Sequence, residues 1–205
     1  MSKISEQEVF WENEFGNQYI KRNIDDSLLK SNIVLFSKIL KYTSPIKNVI
    51  EFGCNVGLNL DAITFLNPKI DVSGVEINKN ACEMLKNKGL RFYNDSFLSQ
   101  SDFGSYDLTF TKGVLIHINP DKLKLAYEKL FVHSKKYILI VEYYNPTPVS
   151  LDYRGEKDKL FKRDFAGEML DIYPEIKLIN YGFTYHRDAF PQDDTTWFLF
   201  EKSKH

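Results

Sequence analysis

Glu51-Phe52-Gly53-Cys54-Asn55-Val56-Gly57-Leu58-Asn59 is the stretch of sequence that decides the fold. The apolar run 48–52 predicts a buried strand, and the residues from Leu58 to about Phe65 predict a helix. In open α/β sheets, ligands bind where such a strand passes into a helix. A dinucleotide-binding turn would need glycine at 53 and 55 and Gly or Ala at 58. Asn55 and Leu58 therefore disfavour an NAD-type site.

The pattern on either side of this turn alternates strands with helices. Alternation of this kind predicts a mostly parallel sheet with helices on both faces. After an expected loop over 144–159 and a helix near 164–173, the runs 177–187 and 195–202 predict an antiparallel pair. The sequence thus predicts a Rossmann-like α/β fold with seven strands and a C-terminal antiparallel hairpin. The other predicted strands are 71–76, 90–93, 106–110 and 137–142.

The composition excludes several classes of protein. The chain has 205 residues, with 27 Lys and Arg against 28 Asp and Glu and a formal net charge of -1. This balance disfavours a basic nucleic-acid clamp and a polybasic membrane binder. Two cysteines and four histidines offer neither a disulfide framework nor a zinc spacing, so we expect no metal. With no apolar run resembling a signal or a membrane span, we expect a cytoplasmic protein without membrane insertion.

The turn also fits another pattern, in which an acid is followed by glycines at every second position. Glu51, Gly53 and Gly57 keep that pattern, and Asn55 replaces its middle glycine. Over residues 45–142 the chain resembles the class I S-adenosylmethionine methyltransferases. The resemblance implies S-adenosylmethionine as the cofactor. Because no repeat, low-complexity tract or linker divides the sequence, we expect residues 45–205 to form one methyltransferase domain, preceded by an N-terminal helical segment, 1–44, as a cap or lid.

A closer resemblance, to the pseudaminic acid biosynthesis-associated methylase family, extends nearly from end to end. It implies a role in making a surface polysaccharide. The motifs that carry it are Phe10–Gly16, Tyr19-Ile20, Arg22-Asn23, Gly113–Pro120, Glu142–Pro148, Tyr153–Gly155, Lys159–Phe165, Tyr185–Asp188, Phe190–Asp194 and Trp197.

The cofactor site is predicted at the ends of the first four strands. Glu51 is expected to face the cofactor's ammonium, Glu76 to accept hydrogen bonds from the ribose hydroxyls, and Asp95 to bind the adenine amino group. Phe97 would stack against the base. An acid after a strand is also a common helix cap, so the prediction depends on the whole set. Its remaining members are Gly53, Asn55, Gly57, Ile77, Ser96 and Lys112.

Histidine is the first choice for a general base at the reacting end. His117 follows the fourth strand, where enzymes of this class place residues that face the substrate. The alternative is an exposed loop histidine or one that caps the next helix. His186, in the late hairpin, is the second candidate, and a carboxylate base, Glu142 or Asp194, also remains open.

A group of basic and aromatic residues is predicted to bind the substrate. Because Arg154 lies in a non-periodic loop after a strand and other basic residues follow it, we expect an anionic small molecule. The alternative is a solvated charged face. The predicted substrate-binding residues are Tyr19, Arg22, Tyr143, Tyr144, Asn145, Arg154, Lys159 and Lys162.

Trp11, Phe15 and Tyr19 recur four apart and form one helical stripe, which either packs against the domain or covers the cofactor. The sequence predicts an O-methyltransferase, monomeric or homodimeric, acting on a nucleotide-linked sugar, a sugar acid or a phosphorylated or phosphoramidate capsule intermediate. A non-catalytic cofactor-binding or partner-binding module is the alternative. Nucleic acid is not expected as a substrate.

Overall fold

A computed structural model describes residues 6–13, 16–17, 20, 26–153 and 156–203. Its centre is a seven-stranded sheet, whose strands are β1 Asn48–Phe52, β2 Asp71–Glu76, β3 Arg91–Asn94, β4 Tyr106–Lys112, β5 Ser134–Glu142, β8 Ile176–Phe183 and β9 Thr196–Lys202. They lie in the order β3-β2-β1-β4-β5-β9-β8. The first five of these strands are parallel, whereas β9 runs antiparallel to both β5 and β8. The predicted fold is confirmed.

Two of the described helices begin after a residue whose side chain caps them. Asn78 accepts hydrogen bonds from the backbone N–H groups of Asn80 and Ala81, and Asp164 accepts one from Gly167. Side-chain acceptors of this kind satisfy N–H groups that a helix start leaves without partners. The helices are α1 Glu6–Glu12, α2 Asp26–Leu40, α3 Leu58–Leu66, α4 Lys79–Asn87, α5 Leu123–Val132 and α6 Phe165–Ile172, with 3₁₀ turns at Leu115–His117 and Pro120–Lys122.

The central strands β1, β4 and β5 are buried on both faces of the sheet, as their apolar sequences predicted. On one face, Phe36 of α2 packs with Phe110 and Leu199 of the sheet. On the other, Phe52 and Tyr127 belong to a second core that also contains α6. Successive strand residues alternate between the two cores, since the side chains of a strand point to opposite faces. This packing holds the carboxyl ends of the strands at one edge.

The expected loop over 144–159 is wrong, because this region forms a β-hairpin. Its strands, β6 Val149–Tyr153 and β7 Glu156–Lys162, pair antiparallel, with Leu151 opposite Leu160. The charge-rich sequence of β7 hides the period-2 alternation that identifies a strand. Leu160 is buried in the second core, and β7 packs against the turn Leu115–His117. The hairpin therefore adds to the edge of the domain that carries the predicted site.

The direction of β9 brings a further loop to that edge. Glu142, at the carboxyl end of β5, pairs with Thr196, the first residue of β9. The loop between β8 and β9, residues 184–195, consequently lies at the same edge as the ends of the parallel strands.

Candidate functional site

A cavity of about 190 Å³ opens at the carboxyl ends of the strands. Its walls come from the ends of β1, β2, β3 and β4, from α2 and from the N-terminal segment. Of the predicted site residues, it brings together Gly53, Asn55, Glu76, Ile77, Asp95, Ser96, Phe97, Lys112 and His117.

The loop after β1 has an unusual backbone. Gly53, Asn55 and Gly57 have φ of +79°, +48° and +81°, so positive φ recurs at every glycine position of the sequence pattern. Asn tolerates this left-handed conformation better than most other residues with side chains. The replacement of the middle glycine by Asn55 is therefore compatible with the turn. Gly57 is the N-cap of α3 and is not among the described residues that line the cavity.

Glu76 joins two loops at the end of β2. Its Oε2 accepts a hydrogen bond from the backbone N–H of Asn55, and its Oε1 accepts one from that of Asn78, both at 2.7 Å. Burial raises the pKa of Glu76, and these N–H groups act in the opposite direction. Each carboxylate oxygen keeps a second lone pair for a ligand.

Glu51 lies behind the cavity rather than in its wall. It is 0% exposed, and its Oε1 accepts a hydrogen bond of 2.6 Å from the side-chain amide of Asn59, which does line the cavity. Burial raises the pKa of Glu51 to about 8, although Asn59 and the charge of Lys112 oppose the shift. Lys112 lines the cavity, and burial lowers its pKa while Glu51, Asp193 and Glu142 act to raise it.

The residues after β3 form a second wall. Asp95 accepts hydrogen bonds from the backbone N–H of Ser96 at 2.7 Å and from the hydroxyl of Ser101 at 2.5 Å. Phe97 stacks on Phe52, with ring centroids 4.7 Å apart, so one face of its ring is already covered.

Described residues of the N-terminal segment, among them Glu8 and Trp11, line the cavity. Glu8 accepts a hydrogen bond from Ser96, at the end of β3. The side-chain amide of Asn78 donates to the backbone carbonyls of Trp11 and Glu12, both at 3.2 Å. Trp11 also lies against His117, with ring centroids 4.6 Å apart. Of the stripe that contains Trp11, both Phe15 and Tyr19 lie outside the described residues.

The two candidate histidines occupy different environments. His117 is 7% exposed and lines the cavity from the turn Leu115–His117, so it is not an exposed loop histidine. The side chain of His186 is half exposed and its Nδ1 lies 2.8 Å from Oδ1 of Asp194. Hydrogen bonding from His186 lowers the pKa of Asp194. Neither His186 nor Asp194 is among the described residues that line the cavity.

The predicted substrate-binding residues whose side chains the structure describes do not line the cavity. Among the described residues, Tyr143, Tyr144, Asn145 and Lys162 all lie outside its lining. They follow β5 or lie in β7, and Lys162 Nζ is 4.8 Å from the centre of the Tyr143 ring. Tyr19, Arg22 and Arg154 lie outside the described residues. Lys159 belongs to β7, but its side chain is not described.

Asn78 and Asn32 are two polar residues of the site that sequence reasoning missed. Asn78 anchors the described part of the N-terminal segment. Glu142, which the sequence offered as an alternative base, instead contacts the turn that bears His117. Asn32, which is 2% exposed, lines the cavity and accepts a hydrogen bond of 2.8 Å from Gln192. A buried Asn within the apolar face of α2 is the one sequence signal that could have indicated Asn32.

Two classes of feature are not found in the part of the chain that the structure describes. It contains no group of three or more His, Cys, Asp or Glu residues arranged to hold a metal ion. None of its helices is long and apolar enough to cross a membrane.

The sheet order, the antiparallel C-terminal pair and the position of the cavity define the Rossmann-like fold of the class I methyltransferases. No protein-family model matches the chain, and no curated protein matches its sequence. Solved structures of methyltransferases do match it in fold.

One similar structure is the 1,6-didemethyltoxoflavin-N1-methyltransferase of Burkholderia thailandensis, bound to 1,6-didemethyltoxoflavin and S-adenosylhomocysteine. Its TM-score is 0.71 at 13% identity, over 100% of this chain and 92% of that one. Another is the magnesium protoporphyrin IX methyltransferase of Synechocystis PCC 6803 with bound SAM. Its TM-score is 0.67 at 11% identity, over 99% of this chain and 100% of that one. A third is an S-adenosylmethionine-dependent methyltransferase of Clostridium acetobutylicum. Its TM-score is 0.63 at 12% identity, over 93% of this chain and 98% of that one. At these identities the likeness establishes the fold.

Proposed function

We propose that this protein is an S-adenosylmethionine-dependent methyltransferase that acts on a small molecule. The observation that carries the proposal is the convergence of the loop 53–56, Glu76, Asp95 and His117 around one cavity in a methyltransferase fold. Two of the proteins similar in fold are named for small acceptors, 1,6-didemethyltoxoflavin and magnesium protoporphyrin IX.

The polar atoms of the cavity wall fit the proposed cofactor. Among the described residues, Asn55 Oδ1 and Asn59 Oδ1 are buried without a hydrogen-bond partner, and both residues line the cavity. Glu51 Oε2, behind Asn59, also has no partner in the described part of the chain. Both amide oxygens are acceptors, and Glu51 Oε2 becomes one when its carboxyl group is ionised, so a matching ligand must bring donors. The ammonium and ribose hydroxyls of S-adenosylmethionine are such donors.

Gly53 allows the loop after β1 to lie directly against the side chain of Val114. A side chain at Gly53 would clash with Val114, which packs directly over it. The roles that we propose are Asn55 and Asn59 for the ammonium, with Glu51 holding Asn59, and Glu76 for the ribose. Asp95 and Phe97 would hold the adenine.

S-adenosylmethionine supplies a methyl group activated by the adjacent sulfonium. The protein would align the acceptor with that methyl group, and positioning of this kind contributes roughly 7–11 kcal/mol. Trp11 and the rest of the N-terminal segment would exclude water from the cavity. His117 would receive the proton of an acceptor hydroxyl on a ring nitrogen, which accelerates such reactions by about a hundredfold or more.

For the acceptor, we propose an anionic precursor of a surface polysaccharide. The resemblance of the sequence to the pseudaminic acid biosynthesis-associated methylases supports this choice. The basic residues of β7 support it as well, because the hairpin lies next to the turn that carries His117. Nucleotide-linked sugars, sugar acids and phosphorylated or phosphoramidate intermediates are the candidates.

A two-part experiment tests the function. Calorimetry of S-adenosylhomocysteine binding should show that Glu76→Ala weakens the complex, because the ribose loses its carboxylate. A screen of nucleotide-activated sugars and capsule intermediates, read by mass spectrometry, should then show a mass gain of one methylene. Binding without transfer to any acceptor would favour the non-catalytic module, and unchanged affinity in the Glu76 variant would refute the role of Glu76.

A further inference from the structure

Glu142 makes an unusual contact at the end of β5. Its side chain is buried, with 1% of the residue exposed. Oε1 accepts two hydrogen bonds of 2.8 Å, from the backbone N–H groups of Val114 and Leu115. These groups lie at the start of the 3₁₀ turn Leu115–His117, where N–H groups lack partners within the turn. Glu142, at the end of β5, therefore caps a turn that follows β4.

The stability of the sheet does not account for a glutamate at this position. The preceding residues of β5, from Tyr137 to Val141, are all buried and apolar. Burying a carboxylate costs free energy unless hydrogen bonds satisfy it fully. Here Oε2 has no partner among the described residues, and burial raises the pKa of Glu142 to about 7. An apolar residue would suit the strand better, so the benefit of the carboxylate lies in the turn.

The turn connects both sides of the cavity. Val114 packs over Gly53 of the loop after β1, while His117 lies against Trp11 of the N-terminal segment. Gly113, with φ of +68°, turns the chain from β4 into this segment. A shift of the turn would displace the wall beside the cofactor loop together with the ring of His117.

Resting on the proposed function, we infer that Glu142 is a positioning residue. It holds residues 114–117 so that Val114 closes against the cofactor loop and His117 faces the cavity. Glu142 does not itself line the cavity in the described part of the chain, so it acts through the turn rather than as a base.

Three variants and a control separate positioning from general stability. Glu142→Gln keeps an acceptor oxygen for both N–H groups, whereas Glu142→Leu removes it and Glu142→Asp withdraws it by one methylene. The control is Thr109→Val, because the buried Thr109 hydroxyl donates to Leu130 and contacts no part of the site. Hydrogen exchange of the Val114 and Leu115 amides shows directly whether the turn is held in place. Calorimetry with S-adenosylhomocysteine measures the affinity of the cavity for this ligand.

We expect Glu142→Gln and Thr109→Val to bind S-adenosylhomocysteine within about threefold of wild type. The Leu and Asp variants should bind about tenfold or more weakly, with faster exchange of both amides. If the Leu variant fails to fold, the Asp variant decides. Wild-type affinity and protection in a folded Leu or Asp variant would overturn the inference. If the wild type does not bind S-adenosylhomocysteine, the proposed function fails, and amide exchange alone decides whether Glu142 holds the turn.

Discussion

The backbone N–H of Asn55 donates a hydrogen bond of 2.7 Å to Oε2 of Glu76. This bond joins the loop after β1 to the end of β2, and Asn55 adopts a left-handed conformation there, with φ of +48°. The carboxylate proposed to hold the ribose therefore also shapes the loop proposed to hold the ammonium. The two halves of the cofactor site depend on each other.

Substitutions of Asn55 should separate the contribution of its backbone conformation to stability from that of its side chain. Glycine accepts the left-handed conformation at no steric cost, whereas a β-branched side chain disfavours it by about 1–2 kcal/mol. We expect Asn55→Val to lower the free energy of unfolding by about that amount, and Asn55→Gly to change it by less than about 1 kcal/mol. Urea denaturation measures both. Equal destabilisation by Gly and Val would contradict the role given to φ.

The affinity for S-adenosylhomocysteine should depend on pH through Glu51. Because burial raises its pKa to about 8, Glu51 is mostly protonated at pH 6. Its negative charge, which favours a ligand ammonium beside Asn59, develops as the pH rises. We expect the affinity to increase about three- to tenfold from pH 6 to 7.5, because the ionised fraction of Glu51 rises over this range. Calorimetry at the two pH values measures the change.

Glu51→Gln is the matched variant, and its affinity should vary little over this range. Stability should respond in the opposite sense. Between the ordinary glutamate pKa of 4.5 and about 8, the folded protein holds a proton that the unfolded chain has released. The free energy of unfolding must therefore fall as the pH rises through this window, and the slope should be smaller in Glu51→Gln. Identical pH profiles for the two proteins would show that Glu51 is not the titrating group.

The contact between Asn78 and the N-terminal segment can be removed without damage to α4. Asn78→Asp retains the oxygen that caps α4 but replaces the amide that donates to Trp11 and Glu12. Because two carbonyl oxygens would then face a carboxylate, we expect faster hydrogen exchange over residues 6–13. Dissociation of S-adenosylhomocysteine should be about fivefold faster, with the free energy of unfolding changed by less than about 1 kcal/mol.

Lys79→Ala is the control for that experiment. It removes only the exposed ion pair of 3.6 Å between Lys79 and Glu12, and such pairs contribute about 1 kcal/mol or less. Exchange over residues 6–13 should remain close to that of wild type. If Asn78→Asp behaves in the same way as Lys79→Ala, the N-terminal segment is held by other contacts.

Once an acceptor is known, the two histidines can be compared directly. His117→Ala should reduce kcat by about a hundredfold or more, because it removes the base in the cavity. Its affinity for S-adenosylhomocysteine should stay within about threefold of wild type. His186→Ala removes an exposed histidine that pairs with Asp194, and should leave kcat unchanged. The reverse pattern would transfer the role of base to His186.

Much of the fold could be predicted because its strands are buried and their lengths are marked by glycine, proline and polar residues. The ends of β1 to β4 then follow from topology, and Gly53, Glu76, Asp95 and His117 meet there as expected. The hairpin β6–β7 was missed because a charge-rich strand at the surface has little apolar periodicity.

The remaining part of the site depends on contacts between distant residues. Asn78 binds carbonyls 66 and 67 positions away, and Gln192 reaches Asn32 across 160 positions. No local pattern indicates such pairs. Glu51 illustrates the same difficulty at short range: its place after β1 was predictable, but only packing shows that Asn59 stands between it and the cavity.

Calorimetric titration of the wild-type protein with S-adenosylmethionine, with NAD as the comparison ligand, tests the central claim most directly. The loop with Asn55 and Leu58 and the unpartnered acceptors of its wall predict saturable binding of one S-adenosylmethionine per chain and no binding of NAD. Binding of NAD without binding of S-adenosylmethionine would contradict the account.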